Sequence, residues 1–216
     1  MKLLILGGTG PAGIKLVEEA LAHGHTVVVY ARSPGKLLES ISQNAAVTVI
    51  EGQLTDVENV IRALEGVDAI LSALGPGASH PGNTPLAHAY ELLIAAMKQH
   101  GVKRLIALGT ASIKDGSDKF SLAYTAMITG VSLFAHSAYK DIVAIGETIR
   151  GQGKELDWTI ARVPILTNND TREVVAGYVG DGVTKTTLSR AGFAAFMVEE
   201  LEKNEWVKKA PLITAQ

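Results

Sequence analysis

The chain contains no cysteine, which excludes disulfides, thiolate nucleophiles and cysteine-based zinc sites. It has no long run of one charge sign and a formal net charge of -2, which argues against nucleic acid as a partner, since phosphates call for a basic face. It also lacks an apolar run of about 18 residues, the length a membrane-spanning helix needs. The opening Met1-Lys2-Leu3-Leu4-Ile5-Leu6 is basic and then apolar, like a secretory leader. The glycines from Gly7 to Gly13 interrupt it early and leave no cleavage-type ending, so it reads as a buried strand. What remains is 216 residues, 47% apolar and 19% charged, enough for one α/β domain with a generous core. A single cytoplasmic domain is expected, with a small-molecule partner, no nucleic-acid or membrane partner and no metal.

Short apolar runs alternate with longer helical patterns. Lys2–Leu6, Thr26–Tyr30, Val47–Ile50, Ala69–Ser72 and Arg104–Leu108 read as strands buried on both faces, because they are continuously apolar. Helical patterns lie between them near Ala12–His23, Pro34–Ser42, Val57–Leu64 and Pro85–His100. Gly24 and Gly101 stand where helix C-termini favour glycine, Thr55 or Asp56 can cap the third helix, and Thr84 precedes a Pro at a first helical position. A helix near Ala138–Arg150, a strand at Trp158–Arg162, a segment Val174–Val179, a helix Arg190–Leu201 and a strand Leu212–Thr214 follow. Strand-helix repetition predicts a doubly wound parallel sheet with right-handed crossovers. Residues 110 to 136 are the least regular stretch, expected as a loop with short helices over the ligand site.

Gly7, Gly10 and Gly13 form G-x-x-G-x-x-G directly after one strand and at the start of a helix. Glycine allows the tight turn and the close approach of backbone to a diphosphate, and the free N–H groups of the first helical turn face it. Gly7, Thr9, Gly10, Pro11, Ala12 and Gly13 are therefore candidate dinucleotide-binding residues. The end of the second strand discriminates between cofactors. NAD sites carry an acid there for the ribose 2′-OH, whereas this chain has Arg32, then Ser33, with Lys36 close by. A planar guanidinium grips a 2′-phosphate, so NADP is expected. Gln53 and Leu54 after the third strand are placed for the adenine, and Ala73, Leu74 and Gly75 after the fourth for the ribose and nicotinamide.

These segments resemble an atypical short-chain dehydrogenase/reductase, of the NmrA-like and biliverdin-reductase-B (flavin-reductase)-like group. The resemblance rests on Gly7 to Gly13, Ala31-Arg32-Ser33-Pro34, Gly52 to Asp56, Val67 to Gly75, Gly101 to Leu105, Leu156 to Pro164 and Leu188 to Phe196, nearly the whole chain. It implies an NADP-binding Rossmann fold with a small C-terminal substrate lobe. Active short-chain dehydrogenases carry Tyr-x-x-x-Lys on a helix, where residues four apart share a face and the lysine lowers the tyrosine pKa. That motif is missing. Tyr139 is the nearest positional equivalent, but four residues on stands Val143. Lys140 lies about 100° around the helix. His136 and Lys140 share a face, read first as a solvated helix start and second as a substitute acid and cation.

Thr110, Ser112 and Tyr139 are the candidate catalytic residues, the two hydroxyls after strand five being able to hold a substrate carbonyl or to cap a turn. His80 and His88 flank a Pro/Gly-rich loop near the expected nicotinamide end, while His23, His25 and His100 look structural. The apolar run from Phe120 to Phe134 reads as core, as a homodimer face, or as the wall of an apolar substrate pocket. The expectation is an NADPH-dependent reductase of a small apolar or aromatic acceptor of quinone, flavin or enone type. A non-catalytic NADP(H) sensor and a redox-neutral isomerase or cyclase are the alternatives.

Overall fold

The structure, a computed structural model, describes residues 1–77 and 79–216. Five strands form the centre: β1 (Lys2–Leu6), β2 (Thr26–Ala31), β4 (Ala69–Ser72), β5 (Arg104–Thr110) and β6 (Asp157–Val163), all paired in parallel. With β3 (Val47–Glu51), β8 (Val174–Gly177) and β10 (Leu212–Ala215) they make an eight-stranded sheet ordered β3-β2-β1-β4-β5-β6-β10-β8. The first six follow the doubly wound dinucleotide-binding order. β1 shows why its residues must all be apolar. Leu3 and Ile5 enter the core on one face, and Leu4 and Leu6 enter the core on the other.

Helices cover both faces. α1 (Pro11–Ala22), α2 (Glu39–Ser42) and α7 (Arg190–Lys203) bury residues in one core, and α3 (Val57–Ala63), α4 (Pro85–His100) and α6 (His136–Gln152) in the other. Asp56 caps α3 by accepting from the Asn59 N–H. Gly101 ends α4 in the left-handed region, as a C-terminal glycine does. Among the described residues no helix is long and apolar enough to cross a membrane.

Four expectations are corrected. β3 is not buried on both faces; it lies at the sheet edge, half covered, with Thr48 and Glu51 exposed. Pro34–Ser42 is not one helix. A 3₁₀ turn at Pro34–Lys36 is followed by extended backbone at Leu37 and Leu38, and only then by α2, so that Leu37 and Ile41 both reach the core. Residues 110 to 136 are not loop and short helices, because α5 (Leu122–Phe134) spans 13 residues and runs into α6 after Ala135 alone. The C-terminal third contributes α7, β8 and β10 to the main body. Its separate part is a parallel ribbon of β7 (Ile165–Thr167) with β9 (Thr187–Ser189).

Candidate functional site

The glycine loop links the end of β1 to α1 with little room to spare. Gly7 has φ +75°, and a Cβ there would come within 2.9 Å of the Ala73 carbonyl carbon, where the chain leaves β4. A Cβ on Gly13 would overlap the Gly7 carbonyl. The Gly10 N–H donates to the Gly7 carbonyl at 3.0 Å and closes the turn. Pro11 opens α1, and neither a side-chain cap nor an acid occupies its first turn. The amide donors there are open to an anion, and the cradle fits a dinucleotide diphosphate.

A cleft of about 460 Å³ runs from this loop across the carboxyl ends of the strands. It brings together Gly7, Thr9, Arg32, Gln53, Leu54, Leu74 and Gly75. Gly10, Pro11, Ala12, Gly13 and Ala73 supply the backbone behind it rather than its lining. Tyr30 ties two of its walls, donating from its hydroxyl to the Gln53 carbonyl at 2.7 Å, and burial pushes its phenol up, so it remains a donor. Ser33 and Lys36 line the same end as Arg32. Among the described residues neither Arg32 nor Lys36 has an ion-pair partner. Glu51, beside Ala31 across the β2–β3 ladder, does not line the cleft.

Thr110, Ser112 and Tyr139 meet in a second, apolar pocket of about 190 Å³. Its walls include Met127, Ile128 and Val131 of α5 and Pro164 after β6. The loop after β4 divides the two spaces, with Gly75 and Gly77 lining the cleft and Pro76 the pocket. Thr110 Oγ1 accepts from the Ser112 N–H at 3.2 Å, so it also holds the turn. Tyr124, in the same wall, has its hydroxyl committed to the Lys185 carbonyl, and burial pushes its pKa up to about 12. His136 and Lys140 do not line the pocket. Both are exposed, and the His136 ring turns back onto the Ser132 carbonyl.

Two buried charges that shape the site escaped the sequence reading. Asp141 of α6 is wholly buried and accepts from the Leu86 and Ala87 N–H groups at 2.9 and 2.8 Å, capping α4 from a neighbouring helix. Thr84, at φ +48°, gives α4 no side-chain cap. The same carboxylate holds His80 Nε2 at 2.6 Å, and His80 lines the cleft, whereas His88 is exposed and does not. The available signal was an acid in register with the buried Ile145 and Ile149 of α6. Arg162 of β6 is also wholly buried. Its guanidinium bonds both Asp118 oxygens, at 2.7 and 2.8 Å, and the Ile113 and Ala210 carbonyls. Burial raises the Asp118 carboxyl, but Arg162 and backbone donors outweigh it and hold it below its ordinary range. This clamp fixes the 110–118 loop that carries Thr110 and Ser112.

Comparison with known proteins agrees with this geometry. A short-chain dehydrogenase/reductase from Veillonella parvula superposes with a TM-score of 0.83 at 16% identity, over 99% of this chain and 94% of that one. A second structure of a short-chain dehydrogenase/reductase from that organism, in complex with NADP, gives 0.79 at 16% identity, over 99% and 94%. At such identities the likeness is one of fold. Eugenol synthase 1 of Petunia hybrida is 37% identical over 81 residues, which are 34% of this chain and 26% of that enzyme. The matches span 26 to 33% of the length of that enzyme and of the Clarkia breweri eugenol and isoeugenol synthases. The model of a family described as NAD(P)H-binding matches residues 7–204. The chain belongs to this NAD(P)H-binding family and has the Rossmann fold.

Proposed function

We propose that the chain is an NADPH-dependent reductase of a small, uncharged, apolar or aromatic acceptor, of quinone, flavin or enone type. One observation carries this reading: an apolar pocket bearing the Thr110, Ser112 and Tyr139 side chains lies across a single loop from the dinucleotide cleft. Gly7, Thr9, Gly10, Ala12 and Gly13 hold the diphosphate, and Arg32 with Lys36 holds a 2′-phosphate, which supports NADP over NAD. When bound, the reduced nicotinamide supplies hydride. Thr110 and Tyr139 hydroxyls orient the acceptor oxygen, and Met127, Ile128 and Val131 wall in its apolar body. No charged side chain is among the residues lining the pocket, so an acceptor carrying a carboxylate or phosphate at this point would be desolvated without compensation.

Val143, four residues after Tyr139, offers no charge to lower the phenol pKa. Reversible ketone–alcohol chemistry is therefore disfavoured by about 10²–10⁴-fold, whereas a quinone or flavin takes its proton from water. The same observation supports a second reading, an NADP(H) sensor that binds without turnover. A panel of neutral quinones, enones and flavins with NADPH separates them. Nucleotide oxidation dependent on the acceptor supports the reductase, and tight binding with no oxidation on any acceptor supports the sensor. Product formed without nucleotide oxidation would instead mean a redox-neutral isomerase.

A further inference from the structure

α5 carries no charged residue, and its two faces differ in fate. Tyr124, Met127, Ile128 and Val131 recur at helical spacing and line the apolar pocket. The opposite stripe runs Leu122, Ala126, Thr129 and Leu133, all exposed, with Leu122 at 74% and Leu133 at 71%. Phe120 just before the helix is 82% exposed, and Phe134 at its end is 92% exposed. A Cβ built on Gly130 meets nothing within 4 Å. Scattered apolar side chains at a surface need no explanation, but four large ones on one uncharged segment do.

We infer that this face of α5 is the two-fold interface of a homodimer, with the two copies of α5 packed antiparallel. Two features select a second copy as the occupant. The stripe is self-complementary, as a two-fold interface requires. Reversing the helix lays Leu122 on the partner's Leu133 and Ala126 on the partner's Thr129, so large residues meet at both ends and small ones at the crossing. The amount of surface is also right. A phenylalanine offers about 150–250 Å². Phe120, Phe134, Leu122 and Leu133 offer on the order of 600 Å². A standard interface takes about 600–1,000 Å² from each partner. The dimer rests on the outer face of α5 alone, so it stands or falls apart from the proposed reductase chemistry.

Sedimentation equilibrium of the full chain tests this. The expected species has twice the 22.8 kDa chain mass. Leu133→Glu or Leu122→Lys alone buries an unpaired charge and weakens association by about 100-fold or more. Both positions are exposed, so the circular-dichroism spectrum at about 25 °C should match the parent's, which keeps misfolding distinguishable, while the melting temperature falls only by the lost association. The two substitutions combined set opposite charges across the antiparallel pair, and the dimer should return to within about tenfold of the parent's affinity. A parent that stays monomeric at every concentration overturns the inference, and so does one that binds phosphatidylserine vesicles as a monomer. A dimer indifferent to Leu133→Glu does the same, as does a double variant no better than the singles, which rejects the antiparallel register.

Discussion

Replacing Arg32 with alanine tests the cofactor assignment most directly. Arg32 sits at the carboxyl end of β2, exposed at the cleft and without a salt-bridge partner among the described residues. Its loss should change folding stability by no more than about 0.5 kcal/mol, as for other surface positions. A hydrogen bond to a charged group contributes about 1.5–3 kcal/mol, which corresponds to about 10- to 150-fold in affinity. NADH has no 2′-phosphate for the guanidinium to meet, and an exposed charge farther from it than about 10 Å is screened at 0.1 M salt. Calorimetric titration of Arg32→Ala should therefore show weakened NADPH binding with NADH binding changed by less than about threefold. Raising the salt concentration should narrow the gap between the parent and the variant. Equal losses for both nucleotides, or none for NADPH, would refute the assignment of Arg32 to the 2′-phosphate.

Other side chains give sharper tests of chemistry and stability. Tyr139→Phe removes one neutral orienting hydrogen bond and should lower kcat/KM by about 3- to 10-fold. A kcat/KM equal to the parent's on every active acceptor would remove Tyr139 from the site. Asp141→Ala strands the Leu86 and Ala87 N–H groups and His80, and should cost about 3 kcal/mol in urea unfolding. Asp141→Asn keeps one acceptor oxygen and should lose less; an unchanged midpoint for the alanine variant would contradict the capping role. At Asp181, burial pushes the carboxyl up, but N–H donors from Thr184, Tyr178 and Val183 outweigh it and bring its pKa to about 2, from an ordinary 3.8. A depressed acid stabilises the fold above its unfolded value, so this contribution is present above pH 3.8 and lost as pH falls through about 2. Melting curves of Asp181→Asn and the parent should differ above that window and converge below it; a constant difference would deny the linkage.

The fold was legible wherever burial on both faces forces a run to be apolar. β1 and β4 have the bounds the composition dictates, and α4 runs from Pro85 to His100 as its proline start and glycine stop predict. α5 was misjudged although Tyr124, Met127, Ile128 and Val131 have helical spacing, because the apolar residues on its other face obscure the period. β3 was read as fully buried because valine and isoleucine suit an edge strand as well as a central one. The glycine loop and Thr110 with Tyr139 could be gathered from sequence because each follows a strand or sits on a long helix. Asp141 and Arg162 could not, since their partners lie dozens of residues away and only the tertiary fold brings a carboxylate to the start of α4 or a guanidinium to Asp118.

The order of the sheet has a consequence for synthesis. β8 pairs antiparallel with β10 and has no other neighbour in the main sheet, yet residues 174–177 leave the ribosome well before residues 212–215. Throughout that interval β8 and the open side of β6 present unpaired backbone, the kind of transient edge that recruits other nascent chains. Chaperone demand should therefore peak late in translation, and a stall just upstream of Leu212 should be more prone to aggregation than one at the end of α4.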